Sequence, residues 1–235
     1  MNLVLYFILI PALLPVFIIL RYVYRLDKVE REPMGFVLKV FMWGAIFSIP
    51  CAGVERFMMY FLQQYYEPGT IQYSWMENTI GVALIEELSK WLVIMIFVWK
   101  NRNFDYRYDG IVYAVTASLG FAGLENILYV ISYGTGVSIG RALFAIPGHT
   151  TFGVFMGFFM SRGKNAWLDY KKGKVSVCKL LALVVPMLIH GFYDFLLSEP
   201  VNEMGYQWIF YIYVILLDLF AWRVIKHEFQ TDRPL

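Results

Sequence analysis

Long apolar runs dominate the chain and decide what it can fold into. Seven stretches, at about 3–23, 34–54, 79–99, 110–131, 141–160, 180–198 and 206–224, are mostly uncharged and close to the length a helix needs to cross a bilayer. About 20 apolar residues at 1.5 Å each span the roughly 30 Å of hydrocarbon. Backbone polar groups in that layer have no water to bond, so the segments are predicted to be helices that satisfy their own hydrogen bonds. Only 16% of the 235 residues are charged, against about 25% in an ordinary soluble domain. The expected fold is therefore an all-α integral membrane bundle of about seven transmembrane helices. It forms one membrane domain over 1–235, with the catalytic helices within 79–198.

Orientation follows from the basic residues. Arg21, Arg25, Lys28 and Arg31, then Lys100, Arg102 and Arg107, fall in the first and third connections. Arg162, Lys164, Lys171, Lys172, Lys174 and Lys179, with Arg223, Lys226 and Arg233, fall in the fifth connection and the tail. These make sixteen of the twenty Lys and Arg residues, and the positive-inside rule then puts the N-terminus outside and the C-terminus in the cytoplasm. The first run lacks a basic leader and a small-residue cleavage site, so it reads as a retained helix. Segment 55–78, rich in Tyr and Trp, is expected along the outer surface. Cys51 and Cys178 fall at opposite ends of the span scheme and are not expected to bridge. A net charge of +2 makes nucleic acid an unsuitable partner; the lipid bilayer is the surrounding one.

Ionisable residues inside such helices cost about 2.5–3.5 kcal/mol each on insertion scales, so each needs a reason. The third run holds Glu86, Glu87 and Lys90, the fourth Glu125 and Asn126, the fifth His149, the sixth His190 and Asp194, and the seventh Asp218. Glu86 lies about 10 Å inside its run at 1.5 Å per residue, and Glu125, His149 and His190 fall at similar depth from the same face. One composite site in the outer half of the membrane is the economical explanation. Asp218 lies deeper and is expected to be structural. Pro147 and Gly148 predict a kink that aims His149 inward. Gly153 and Gly157 form a small-residue strip for close helix approach.

Carboxylates and imidazoles meeting in a low dielectric suit acid–base hydrolysis. A glutamate can take a proton from water, and a histidine can hold that water or protonate a leaving amine. Asp194, one turn from His190, can fix its tautomer, and Asn126 or a histidine N–H can stabilise an oxyanion. A zinc ion held by His149, His190 and Glu125 or Asp194 is a second route to activated water, with Glu86 as base. A proton- or ion-coupled transporter would use the same groups, although no internal repeat is evident. A membrane scaffold would not need them.

The blocks Glu86-Glu87-x-x-Lys90, Phe121-x-x-x-Glu125-Asn126, His149 followed by Phe152, and His190-Gly191-x-x-Asp194 together resemble the PrsW family of bacterial membrane proteases, relatives of the prenyl-protein endopeptidases. The resemblance covers about residues 80–195. It implies an intramembrane endopeptidase of the bacterial plasma membrane whose partner is a single-span membrane protein. By the same resemblance that substrate is an anti-sigma factor, cut at site 1 near the extracytoplasmic face during a stress response. The family is classed among metallopeptidases and its relatives look glutamate-dependent, so both the zinc and the metal-free route stay open.

Overall fold

In the computed structural model, which describes residues 2–235, every regular element among the described residues is helical. Side chains are described from Ile10 onward, Pro11 excepted. Helix α1 (Asn2–Leu26) is followed by α2 (Met34–Leu62), which starts directly after Pro33. Proline pre-sets the φ of an entering helix and needs no N–H partner there. The next helical run is a composite of α3 (Ile71–Met76), a π-turn π1 (Glu77–Ala83), α4 (Leu84–Val93) and a second π-turn π2 (Ile94–Val98). Its start is capped by Thr70, whose side-chain oxygen accepts from the Tyr73 N–H at 3.2 Å, as N-caps do.

Then come α5 (Asp109–Tyr133), the short α6 (Val137–Gly140), a third π-turn π3 (Arg141–Ala145) and α7 (Ile146–Leu168). The chain closes with α8 (Lys172–Phe195), α9 (Glu199–Glu203) and α10 (Gln207–Gln230). Gly134, at φ +83°, ends α5 in the left-handed conformation that glycine adopts without strain. Among the described residues, five helical stretches are long and apolar enough to cross a membrane: Met34–Leu62, Asp109–Tyr133, Val137–Leu168, Lys172–Phe195 and Gln207–Gln230. The run at 71–98 is long as well, but carries Glu77, Glu86, Glu87 and Lys90.

The helices overrun the expected spans at several ends. Residues 55–62 continue α2, and 71–78 already belong to the run that carries Glu86, so the segment expected along the surface is largely helix end and helix start. Cys51 and Cys178 are both free and buried.

Helix α5 is the centre of the bundle. Its most apolar window is 78% buried, against 22–28% for those of α2, α8 and α10. Glycines let its neighbours approach. A Cβ on Gly120 would lie 2.0 Å from the Phe41 carbonyl oxygen of α2, and one on Gly44 2.1 Å from that of Ala117. On the other side, a Cβ on Gly157 would lie 2.3 Å from the Gly110 carbonyl oxygen, and one on Gly153 2.9 Å from Val115 Cα. The strip expected from Gly153 and Gly157 is thus the α5–α7 contact. Helix α10 sits at the edge, tied to α7 where the Thr151 hydroxyl donates to Asp218 at 2.8 Å. That contact gives Asp218 the structural role expected of it.

One end of the bundle gathers acids. Asp27, Glu32 and Asp109 are all at least 98% buried, and Tyr113 donates its hydroxyl to Glu32. Asp109 caps the preceding loop, accepting from the N–H groups of Asp105 and Tyr106 at 2.9 and 2.6 Å. The C-terminal residues pack over this loop through a Tyr106–Pro234 bridge and a Leu235 N–H donating to Asp105. Burial pushes the Glu32 carboxyl up to about 8 and Asp27 up to about 6, with the Tyr113 bond opposing the rise at Glu32.

Two outcomes follow from this packing. Gly120→Val should push α2 off α5 and lower the unfolding midpoint by an amount equivalent to the ~1–3 kcal/mol of overpacking, measured by thermal denaturation in detergent. For Glu32, the folded state keeps a proton that the unfolded chain releases, so its contribution to stability falls as pH rises from about 4.5 toward about 8. Glu32→Gln should flatten the pH dependence of the midpoint over that window and raise the midpoint at its upper end.

Candidate active site

The site begins with the π-turns. A π-turn holds one residue more than the equivalent α-turn and is common beside functional groups. Here π1 ends just before Glu86 and Glu87, and π3 ends four residues before His149. The kink expected from Pro147 is realised as π3. Pro147 has no N–H to donate to the carbonyl of residue 143, and the turn that loses this bond widens. On α8, Gly191 lets the helix close on π1: a Cβ there would lie 2.8 Å from Thr79 Cα. That contact brings His190 within reach of Glu87.

Lys90 is the hub. Its ammonium lies 2.6 Å from Glu87 Oε1, 3.1 Å from Glu86 Oε2 and 3.0 Å from His149 Nδ1, over the face of Phe121 with Nζ 4.6 Å from the ring centroid. An ammonium only donates, so Nδ1 of His149 accepts and the ring proton is assigned to Nε2. That Nε2 faces Glu125 Oε2 at 3.0 Å. Arg141 closes this branch, with Nη2 2.9 Å from the same Glu125 oxygen and Nε donating to Asn126 Oδ1 at 2.7 Å.

The second branch runs through His190. Its Nδ1 lies 2.9 Å from Glu87 Oε1 and its Nε2 3.1 Å from Asp194 Oδ2. An imidazolium with both N–H groups donating satisfies both contacts. Asp194 therefore orients the ring, as its one-turn spacing suggests. Phe152 stacks on His190 with ring centroids 4.4 Å apart, and the two imidazoles are 5.4 Å apart.

Of the residues singled out in the sequence, Glu86, Glu87, His149 and His190 thus meet around Lys90, with Glu125 and Asp194 one contact further. Asn126 does not face this centre. Turned about 100° from Glu125 on the helix, its amide donates to the Ala12 carbonyl at 2.8 Å and ties α5 to α1. An oxyanion role for its side chain has no support in this geometry.

A cavity of about 790 Å³ opens onto the site. Glu86, Glu125, His149, His190 and Asp194 line it, whereas Glu87 and Lys90 lie behind the wall. Four further charged residues line it that the sequence reading did not place in the site: Glu55 on α2, Glu77 on π1, Arg141 on π3 and Glu199 on α9.

The metal-ligating side chains sort differently from the set expected. His149, His190 and Glu125 do not form one group. Two groups share Glu86: Glu86 with Glu125 and His149, and Glu86 with Glu87 and His190, each with ligand atoms within 4.8 Å of one another. The first fits a metal better, because all three of its side chains face the cavity. Its His149 Nε2 and Glu125 Oε2 are 3.0 Å apart, near the roughly 3.3 Å edge of a tetrahedron with bonds of about 2.0–2.1 Å; an ion there would displace the Nε2 proton and its hydrogen bond to Glu125. In the second group, Lys90 and His190 already share one Glu87 oxygen.

Comparison with known proteins identifies the family. The profile described as "PrsW family intramembrane metalloprotease" matches residues 32–220. Protease PrsW of Oceanobacillus iheyensis is 36% identical over 81% of this chain and 83% of its own length. Protease PrsW of Geobacillus kaustophilus is 35% identical, covering 92% and 89%, and that of Bacillus subtilis is 35% identical, covering 93% and 94%. No solved structure matches. These relatives are named as proteases, so the transporter reading of the same buried acids is not favoured. The chain is a multi-pass membrane protein and belongs to the PrsW family of intramembrane metalloproteases.

Proposed function

We propose that this protease hydrolyses a peptide bond of a single-span membrane protein, using water activated at Glu86. The observation that carries the reading is the position of Glu86. Of the two carboxylates that contact Lys90, it is the one that also lines the cavity, whereas Glu87 lies behind the wall. The bundle crosses the membrane seven times with its N-terminus outside and its C-terminus in the cytoplasm, a reading supported by the alternation of basic residues along the chain. The cavity then lies near the extracytoplasmic face. A cut there suits site-1 cleavage of an anti-sigma factor, the substrate that the family likeness suggested.

Glu86 accepts a proton from water as the oxygen attacks the scissile carbonyl carbon, and the carbonyl oxygen takes the negative charge. When the C–N bond breaks, Glu86 returns the proton to the departing amine. Lys90 pairs with both Glu86 and Glu87, and Glu87 anchors Lys90 and His190. The His190 and His149 rings and Arg141 supply the positive edge against which the oxyanion forms. Asp194 and Glu125 hold those rings in orientation. A divalent metal held by Glu86, Glu125 and His149 would supply further acidification of the water by its charge.

Co-expression with a single-span anti-sigma factor tests the reading. Glu86→Gln and His149→Ala should each reduce fragment release by at least about 100-fold at unchanged protein level, and Asp194→Asn by less. Cleavage at the wild-type rate in Glu86→Gln would end this assignment. Metal analysis of purified protein should find one divalent ion per chain that His149→Ala loses and His190→Ala retains. Retention in His149→Ala would remove the proposed ligand set.

A further inference from the structure

The charge in the active-site cavity does not balance. Its wall carries the carboxylates of Glu55, Glu77, Glu86, Glu125, Asp194 and Glu199, and a single arginine, Arg141. The cations within reach are already committed. Lys90 serves Glu86 and Glu87, Arg141 serves Glu125, and His190 serves Asp194. Glu77 accepts the Tyr73 hydroxyl at 3.1 Å, and Glu199 is exposed at the start of α9.

Glu55 differs from the others. It lies two turns inside the end of α2, one of the helices long and apolar enough to span a membrane. Among the described residues it has neither an ion-pair nor a hydrogen-bond partner. A half-buried carboxylate in the cavity wall is costly to hold unpaired. Its helix crosses α5 at the Gly44–Ala117 and Phe41–Gly120 contacts. Beyond the crossing, Ser48, Cys51, Ala52, Glu55 and Met59 of α2 and Glu125, Leu128 and Ser132 of α5 all turn to the cavity. Glu55 is thus part of the wall that a chain entering the cavity must pass. The cavity, at about 790 Å³, lies in the upper part of the roughly 300–1,000 Å³ range of ligand pockets.

Resting on the protease reading above, we propose that Glu55 is a specificity-determining residue that receives the cationic side chain of a Lys or Arg close to the scissile bond of the substrate. An ammonium or guanidinium group supplies the partner Glu55 lacks and offsets the negative excess of the wall. A charge-assisted contact of this kind is among the stronger hydrogen bonds. The same wall disfavours a substrate with Asp or Glu at that position through like-charge repulsion. Glu55 takes no part in moving the proton, so the chemical step survives its replacement.

The test uses the full-length enzyme in proteoliposomes with synthetic single-span peptides. One Lys is moved residue by residue through the outer juxtamembrane segment, with parallel series carrying Gln or Glu. The wild type should show kcat/KM at least about tenfold higher for Lys than for Gln at one or two positions. Glu55→Gln should erase that preference while keeping the rate on the Gln series, and Glu55→Lys should transfer it to the Glu series. Equal thermal midpoints for all three proteins exclude a folding defect. A Lys preference that persists in Glu55→Gln overturns the proposal and leaves the protease intact. So does an equal loss on every peptide, which would make Glu55 part of the chemistry instead. Failure of the wild type to cut any peptide would overturn the protease reading and this inference together.

Discussion

One ammonium group holds the site together. Lys90 is fully buried and contacts two carboxylates and an imidazole from two separate helical runs. Without it, Glu86 and Glu87, adjacent in an apolar layer, would repel each other with no cation between them. With it, two negative charges are held at a depth where a single one is already expensive. The rest of the arrangement follows from keeping that hub in place. Phe121 of α5 lies beneath it, His149 of α7 accepts from it, and His190 of α8 reaches the same Glu87 oxygen. The glycine contacts of α5 with α2 and α7, and of Gly191 with Thr79, are the packing that lets four helices come close enough.

Within the hub, the two glutamates have different surroundings although they are neighbours in the chain. Glu87 is enclosed and takes part only in charge contacts, whereas Glu86 forms part of the cavity wall. A helical step of about 100° is enough to separate them. The division resembles other hydrolytic sites where one carboxylate works on water and its neighbour fixes the electrostatics. Removing either member would leave Lys90 with one carboxylate partner fewer.

Much of this was legible in the residues. Apolar runs announced the helices because the bilayer leaves the backbone no other solution. Glu86, Glu87, His149 and His190 stood out because ionisable groups in such runs need a compensating reason. What escaped the sequence has physical causes too. Glu55 was overlooked because the second span was expected to end at residue 54, and the polar and aromatic residues beyond it read as interfacial, whereas α2 continues to Leu62. Arg141 passed as a topological cation because nothing in a linear pattern shows that it folds back onto Glu125. Asn126 was grouped with Glu125 by adjacency, yet its side chain serves the α1 contact. The π-turns have no residue signature at all; only Pro147 hinted at one of them.

Those widened turns make the constellation depend on how many residues precede it as much as on which ones. Each accommodates a surplus position, and the chain after it is rotated relative to an unbroken α-helix. Shortening π1 by a single residue would swing Glu86, Glu87 and Lys90 around the helix axis, away from His149 on α7 and His190 on α8. A residue gained or lost in 77–83 or 141–145 therefore re-aims the catalytic side chains, whereas one gained or lost in the connections at 63–70 or 169–171 alters only a bend.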